Sequence, residues 1–309
     1  MRIVSLLPSA TEIVFALGLD DQLVGVSHEC DWPPEAATKP AVTRASNDLS
    51  AASSRQVHDL VQGSIHGGSS LYELDEGLLA DLRPDLILTQ ELCTVCAVSY
   101  RRVTDAVRAI DASTTVVSLE PVSIEGIFNT ITTVGAMTGV ENRSVRLVQR
   151  LRARLGKLER KVQRRRERGH QPVRAIGVEW LDPPFATGHW VPEQLRRAGG
   201  WDLLGREGEP SVETTWQAVH DVEPEMLVLM PCGYHVADAA REWERTPRPA
   251  VWGEIEAVRR GQVFVVDGSS YFSRPGPRVV DGIAMLCEIF DPDAFVETAP
   301  PGAWTPVFA

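Results

Sequence analysis

The stretch from Asn142 to Arg168 constrains this chain more than any other. Val148, Leu151, Leu155, Leu158 and Val162 recur at steps of three and four, which places them on one stripe of a helix. Asn142 suits the N-cap, and Gly169 followed by Pro172 supplies the stop. A helix of that length spans roughly 40 Å, the width of a small domain, so the spacing predicts a rod bracing two lobes rather than an element packed inside one. The span 141–168 carries twelve of the 31 Lys and Arg and only three acids, a net +9 in a chain whose total is −11, leaving −20 elsewhere. A basic rod invites a nucleic-acid reading. No aromatic residue interleaves with its arginines, however, and the rest of the chain would repel phosphate, so the expectation is a solvated outer face and no nucleic-acid partner.

On both sides of this rod, short β-branched runs alternate with helical patterns. In the first half the strand candidates are Ile3–Leu7, Leu23–Val26, Leu86–Thr89 and Thr115–Leu119, with helical spacing at 11–17, 54–63, 75–82, 100–109 and 124–138. The second half offers strands Val173–Val178, Met226–Leu229 and Val263–Val266, with helices near 191–198, 235–246, 252–260 and 277–289. Such alternation predicts an α/β chain with mostly parallel sheets covered on both faces. The expected organisation is an N-terminal lobe over 1–140, a linking helix over 141–170 and a C-terminal lobe over 171–309, with a ligand cleft between the lobes. A local echo supports two similar lobes. Leu82-Arg83-Pro84-Asp85-Leu86-Ile87-Leu88-Thr89 and Val222-Glu223-Pro224-Glu225-Met226-Leu227-Val228-Leu229 share a helix end, Pro, acid and apolar strand. The polar tract Thr43–Ser70 reads as a loop-bearing insertion and the tail Ala299–Ala309 as irregular.

No apolar run approaches the ~20 residues a bilayer requires, so no membrane span is expected. Met1–Leu7 is interrupted by Pro8, Ser9, Thr11 and Glu12 before a signal-like apolar region of ordinary length develops. The sequence as written therefore points to the cytoplasm, with a periplasmic or extracellular site only if an export signal lies outside it. Five cysteines, an odd number in a chain large enough to build its own core, agree with a reducing compartment.

In open parallel sheets ligands bind beyond the carboxyl ends of the strands. That rule nominates the loops around Pro8–Thr11, Ser27–Trp32, Gln90–Cys96, Glu179–Trp190, Pro231–His235 and Asp267–Arg274. Trp32, Trp180, Phe185, Trp190, Tyr234, Tyr271 and Phe272 fall on them, out of 20 aromatic residues, a mixture suited to gripping a broad, partly apolar ligand. Cys93-Thr94-Val95-Cys96 is the sharpest local pattern. Together with His28, Cys30 and Cys232, and with His189 and His235 nearby on other loops, it could build a mixed sulfur and imidazole metal site; inert or ligand-lining cysteines are the other reading. There is no Gly-x-Ser-x-Gly, no Walker A loop and no Gly-x-Gly-x-x-Gly after the first strand, so no catalytic residue is nominated.

Several motifs together resemble a known family. Val4-Ser5-Leu6-Leu7-Pro8-Ser9-Ala10-Thr11-Glu12, Val24-Gly25-Val26-Ser27 leading to Asp31-Trp32-Pro33-Pro34, and Leu82–Ile87 are similar to the N-terminal lobe of class III periplasmic substrate-binding proteins, particularly the cobalamin-binding members. Pro183–Gly188, Ala198-Gly199-Gly200 and Tyr271–Arg278 look like the second lobe's ligand loops and closing helix. The resemblance runs from Arg2 to about Phe290. It implies two Rossmann-like lobes joined by a single long backbone helix and a non-catalytic protein that holds a cobalamin-like corrinoid. Pro8, Ser9, Ala10, Trp32, Phe185, Tyr271, Phe272 and Arg274 would contact that ligand, with Trp190 as an addition. The alternatives within the same architecture are another metal chelate, such as haem or an iron siderophore, and a chelatase-like enzyme using the cleft His and Cys residues. An ABC transporter is the implied partner. Gly77 and Gln217 stand where the family carries its transporter-docking acids, so a cytoplasmic corrinoid acceptor is the other partner expected.

Overall fold

The computed structural model describes residues 1–46, 51–67, 72–90 and 114–307, and these form two compact units. The first comprises Met1–Ala52, Asp59–Glu120 and Gly126–Val148; the second comprises Ser53–His58, Pro121–Glu125 and Gln149–Ala309. Both are α/β units, the first built on a parallel sheet and the second on a mixed one.

The first unit holds β1 (Ile3–Ser5), β2 (Leu23–Val26), β3 (Thr43–Ala45), β4 (Tyr72–Leu74), β5 (Leu86–Thr89) and β6 (Thr115–Ser118). Four of these make a parallel sheet in the order β2-β1-β5-β6, while β3 and β4 pair antiparallel beside it. The apolar runs supply its core: Val4, Leu6, Ile87, Val42, Leu74 and Leu79 pack into one cluster. β1 ends at Ser5, two residues sooner than its apolar pattern suggests, and helix Pro8–Ala16 begins three residues sooner. The reason is Pro8, whose missing N–H costs nothing in the first turn and whose fixed φ favours helix, so Pro8–Thr11 is a helix start rather than a loop. The tract 43–70 contains β3 and helix Ser54–Gly67, and the helical pattern at 100–109 lies outside the described residues.

The second unit holds β7 (Val173–Leu181), β8 (Pro184–Ala186), β9 (Gly200–Asp202), β10 (Val212–Glu213), β11 (Met226–Leu229), β12 (Val263–Val266) and β13 (Trp304–Pro306). Its sheet runs β10-β8-β7-β11-β12-β13, with β9 also on β7. The pairs β7·β9, β7·β11 and β11·β12 are parallel; β8, β10 and β13 join antiparallel. β7 is nine residues long, so β9 pairs with its start at Val173–Ala175 and β8 with its end at Val178–Leu181. Ile176, Val178, Leu227, Leu229, Val263 and Val265 form the core with Trp243 and Trp252, whose ring centroids lie 4.7 Å apart. Arg248 stacks 3.9 Å above the Trp243 ring and donates to the Trp243 carbonyl at 2.6 Å, closing the cluster's edge. The tail read as irregular places β13 antiparallel to β12 through Thr305 and Val265.

The rod is one continuous helix, Glu141–Glu167, of 27 residues. Val148, Leu155, Leu158 and Val162 are buried and Leu151 is half-buried, as the spacing predicts.

The sequence echo has a structural counterpart. In the first unit Arg2 donates its N–H to Asp85 Oδ2 at 2.6 Å and its guanidinium Nε to the Leu82 carbonyl at 2.6 Å, while Asp85 N–H returns to the Arg2 carbonyl at 2.8 Å. In the second unit Arg174 donates N–H to Glu225 Oε2 at 3.0 Å and Nη2 to the Val222 carbonyl at 2.6 Å, and Glu225 N–H returns to the Arg174 carbonyl at 2.7 Å. Both helix ends pass through a non-glycine residue in the left-handed region, Arg83 at φ 43° and Glu223 at φ 48°, immediately before the proline. The same clamp thus sets the register of β5 on β1 and of β11 on β7.

Removing the acid from each clamp should cost stability in proportion to its burial. We expect Glu225→Ala, where the acid is half-buried, to lose about 1–2 kcal/mol in urea unfolding, and Asp85→Ala, where it is exposed, to lose less than about 1 kcal/mol. Equal losses at the two positions would contradict this ordering.

Candidate functional site

Strand order fixes where loops gather. In the first unit the chain lays β2 on one side of β1 and later β5 on the other, and in the second unit β9 and β11 flank β7 in the same way. Such reversals leave a crevice at the carboxyl ends of the central pair, the usual ligand position in open α/β sheets.

In the first unit, β1 leads through Leu6 and Leu7 into Pro8, which is half-buried, with Ser9 and Ala10 buried behind it. The Thr11 hydroxyl sits 2.8 Å from Ser5 Oγ and 3.1 Å from Cys30 Sγ, tying the helix start to the loop after β2. Thr43 Oγ1 accepts from His28 N–H at 3.1 Å and lies 2.7 Å from His28 Nδ1 and 3.1 Å from Ser27 Oγ. Cys30 is therefore a packed thiol and His28 a hydrogen-bonded ring, also 5.3 Å from Tyr72. On the same loop Trp32 leaves 46% of its surface exposed.

In the second unit two carboxylates, half-buried Glu179 and buried Asp202, pin the short segment after β8 and the longer loop between β9 and β10 to the sheet. Glu179, on β7, accepts from Gly188 N–H at 3.1 Å and from the Ser211 hydroxyl. Asp202, at the end of β9, accepts from the Thr187 hydroxyl and from Gly205 N–H at 3.0 Å. Burial pushes the Glu179 carboxyl up to about 8, against the lowering effect of the Ser211 and Gly188 hydrogen bonds, with Cys232 and Asp202 adding to the rise. Burial likewise raises Asp202. Beside this network, Cys232 is exposed and donates its N–H to the Glu179 carbonyl at 3.0 Å. His235 Nδ1 lies 3.1 Å from Asp267 Oδ2.

The aromatic candidates divide by exposure. Phe185 on β8 is half-buried, its ring centroid 5.9 Å from that of His58, and Trp180 meets Tyr234 edge to face at 5.8 Å. Tyr271 is half-buried with the Arg278 guanidinium 5.4 Å from its ring, and burial raises its phenol. Gln194 holds the Tyr271 backbone: its Nε2 donates to the Tyr271 and Val279 carbonyls, each at 3.0 Å. Gly282 permits this contact, since a Cβ there would lie 2.6 Å from Gln194 Nε2 and 2.7 Å from the Tyr271 oxygen. Trp190, Phe272 and Arg274 are buried, and Arg274 Nη2 donates to Ser269 Oγ at 3.2 Å. Cys93 and Cys96 lie outside the described residues, and among the described residues no three His, Cys, Asp or Glu side chains gather to hold a metal ion.

Glu179, Asp202, Gln194 and Ser211 are not among the sequence candidates. Glu179 had a legible signal, because it is an acid inside the otherwise apolar run Ala175–Leu181, and an acid in such a run is rarely incidental. Asp202 and Ser211 offer no such pattern.

The Glu179 shift has a signed consequence. Its folded value near 8 lies above the 4.5 of an unconstrained glutamate, so its contribution to stability is complete below about pH 4.5 and is lost as pH rises through 8. We expect the unfolding free energy of the wild type to fall relative to that of Glu179→Gln between pH 5 and 9, by on the order of 2–4 kcal/mol. Parallel pH profiles for the two proteins would show that the carboxyl is not held neutral.

The sequence matches the periplasmic binding protein family over residues 3–269. It is 25% identical over 302 residues to YvrC, an uncharacterized ABC transporter substrate-binding lipoprotein of Bacillus subtilis, covering 96% of this chain and 82% of that protein. It is 23% identical over 296 residues to a vitamin B12-binding protein of Vibrio cholerae, covering 93% and 87%. Its fold is similar to the crystal structure of the periplasmic vitamin B12 binding protein BtuF of Vibrio cholerae, with TM-score 0.66, 21% identity and coverage of 96% and 98%. It is also similar to a periplasmic heme binding protein from Pseudomonas aeruginosa, with TM-score 0.74, 20% identity and coverage of 100% and 99%. These likenesses correct the cytoplasmic expectation: the family and these relatives are periplasmic proteins or lipoproteins, and the first residues of the sequence were the wrong place to look for the compartment. Among the described residues no helix is long and apolar enough to cross a membrane.

Proposed function

Because the chain belongs to the periplasmic binding protein family and is a substrate-binding protein of the ABC-transporter type, we propose that its cargo is a cobalamin-like corrinoid, bound without chemical change and passed to a transporter. The observation that carries this reading is the placing of large rings on the strand-end loops, among them Trp32, an indole 46% exposed on the loop after β2 and so available to lie against a flat ligand. Phe185 and Tyr271, both half-buried, are the corresponding rings of the second unit. A corrin presents wide apolar faces to such rings and a rim of carboxamides to hydroxyls and to backbone N–H groups such as those of Ser9 and Ala10. Ser9 and Ala10 are buried in the first turn of the helix after β1, Trp190 and Phe272 are buried, and Arg274 donates to Ser269 Oγ.

Two further points favour a corrinoid. The relatives matched in sequence include several named for vitamin B12. The described loops also carry rings rather than a set of cations: Arg278 stacks on Tyr271 and Arg274 is buried, an arrangement suited to a neutral rim and poor for the anionic oxygens of an iron siderophore. Haem remains the competing cargo of the same fold.

Spectral titration with hydroxocobalamin and, separately, haemin decides between them. A saturable one-to-one shift of the corrin bands, with no Soret change on adding haemin, is the expected result. A haemin-only response would replace corrinoid by haem. Trp32→Ala and Tyr271→Ala should each weaken corrinoid binding by about 1–3 kcal/mol through lost apolar burial, and unchanged affinity in both would remove these rings from the site.

A further inference from the structure

The long helix carries more positive charge than its packing uses. Several of its basic side chains are paired within the second unit: Arg152 with Glu125, Arg154 with Asp281 and Arg165 with Asp291. Arg150, Lys157, Arg160 and Arg164 are different. All four are exposed, and none has an ion pair among the described residues, in a chain with 42 acidic residues against 31 basic ones. At 100° per residue they fall within about 80° of one another around the axis, on the side away from buried Leu155, Leu158 and Val162, and extend over roughly 21 Å. This band of cations has no acidic partner among the described residues, so its mutual repulsion is relieved by solvent ions or by an external anionic surface.

We propose that this band is a docking surface for a bilayer rich in anionic phospholipid. Charge complementarity carries the assignment, and the geometry suits a plane: the band lies on one solvent-facing side of the helix, so the four flexible cations reach a flat layer of phosphates together. The helix has no aromatic residue to stack on bases, which disfavours single-stranded nucleic acid, and no large apolar side chain within the stripe, which disfavours insertion. Attachment is thus peripheral and sensitive to salt. It rests on the family's work beside a membrane transporter, but not on which ligand is carried, because none of the candidate rings belongs to this helix.

Sedimentation of the full ligand-free chain with vesicles tests it. We expect binding to phosphatidylglycerol-containing vesicles at low ionic strength, none to pure phosphatidylcholine, and release at about 0.5 M salt. The triple variant Lys157→Glu, Arg160→Glu, Arg164→Glu should bind more than tenfold more weakly, with an unchanged thermal melt. Arg166→Glu, an exposed cation outside the stripe, should bind as wild type. Vesicle binding that is absent, equal in the triple variant, or weaker than binding to duplex DNA under the same conditions overturns the proposal. A corrinoid titration on the same preparations reads the ligand assignment separately.

Discussion

The clamp at the foot of each parallel pair organises the rest of the molecule. A parallel strand cannot fold back on its neighbour by a hairpin, so its register must be set by contacts at the ends of the crossover. Here one arginine and one acid do this twice, Arg2 with Asp85 and Arg174 with Glu225, exchanging backbone hydrogen bonds at the strand entrance while the guanidinium satisfies a carbonyl at the preceding helix end. A helix C-terminus leaves several carbonyls without partners, and a cation there answers both the missing donor and the negative end of the dipole. With β5 and β11 so placed, the carboxyl ends of each central pair and their loops are fixed. That edge bears Pro8, Trp32, Cys232 and Tyr234.

What the second unit adds is rigidity bought with half-buried and buried acids. Glu179 and Asp202 accept hydrogen bonds from Gly188, Ser211, Thr187 and Gly205, so two irregular segments, 187–190 and 203–211, are bound to the sheet rather than left to solvent. A carboxyl held neutral at ordinary pH serves this purpose better than a charge would, because it avoids the desolvation penalty of an ion in packed protein. Gln194 performs the equivalent task for Tyr271 through neutral amide hydrogen bonds. The pattern fits a protein that must present a preformed surface to a rigid, flat cargo.

Much of this architecture is legible from residue order, for identifiable reasons. Leu86–Thr89, Met226–Leu229 and Val263–Val266 are buried on both faces and therefore appear as unbroken apolar runs with the observed bounds. The rod is legible because its stripe persists over many turns. β8, β10 and β13 are not: each has two or three residues, β8 and β13 include Pro184 and Pro306, and all three owe their existence to a neighbour's edge rather than to their own periodicity. The candidate rings are visible as residue types on strand-end loops, yet exposure separates Trp32 from Phe272, and no local pattern encodes exposure. The carboxylate network is hidden because its members, Glu179, Thr187, Asp202 and Ser211, come together only through β7, β8 and β9.

The central claim is that, in each unit taken by itself, the loops at the carboxyl ends of the parallel strands carry the ligand-contacting residues. Hydrogen exchange on the full chain, with and without hydroxocobalamin, tests it most directly. The account predicts slowed exchange at 27–32, 182–190, 231–235 and 268–274, with little change along the outer helix at 141–167. Protection confined to the helix, or no protection at those loops under saturating ligand, would contradict it.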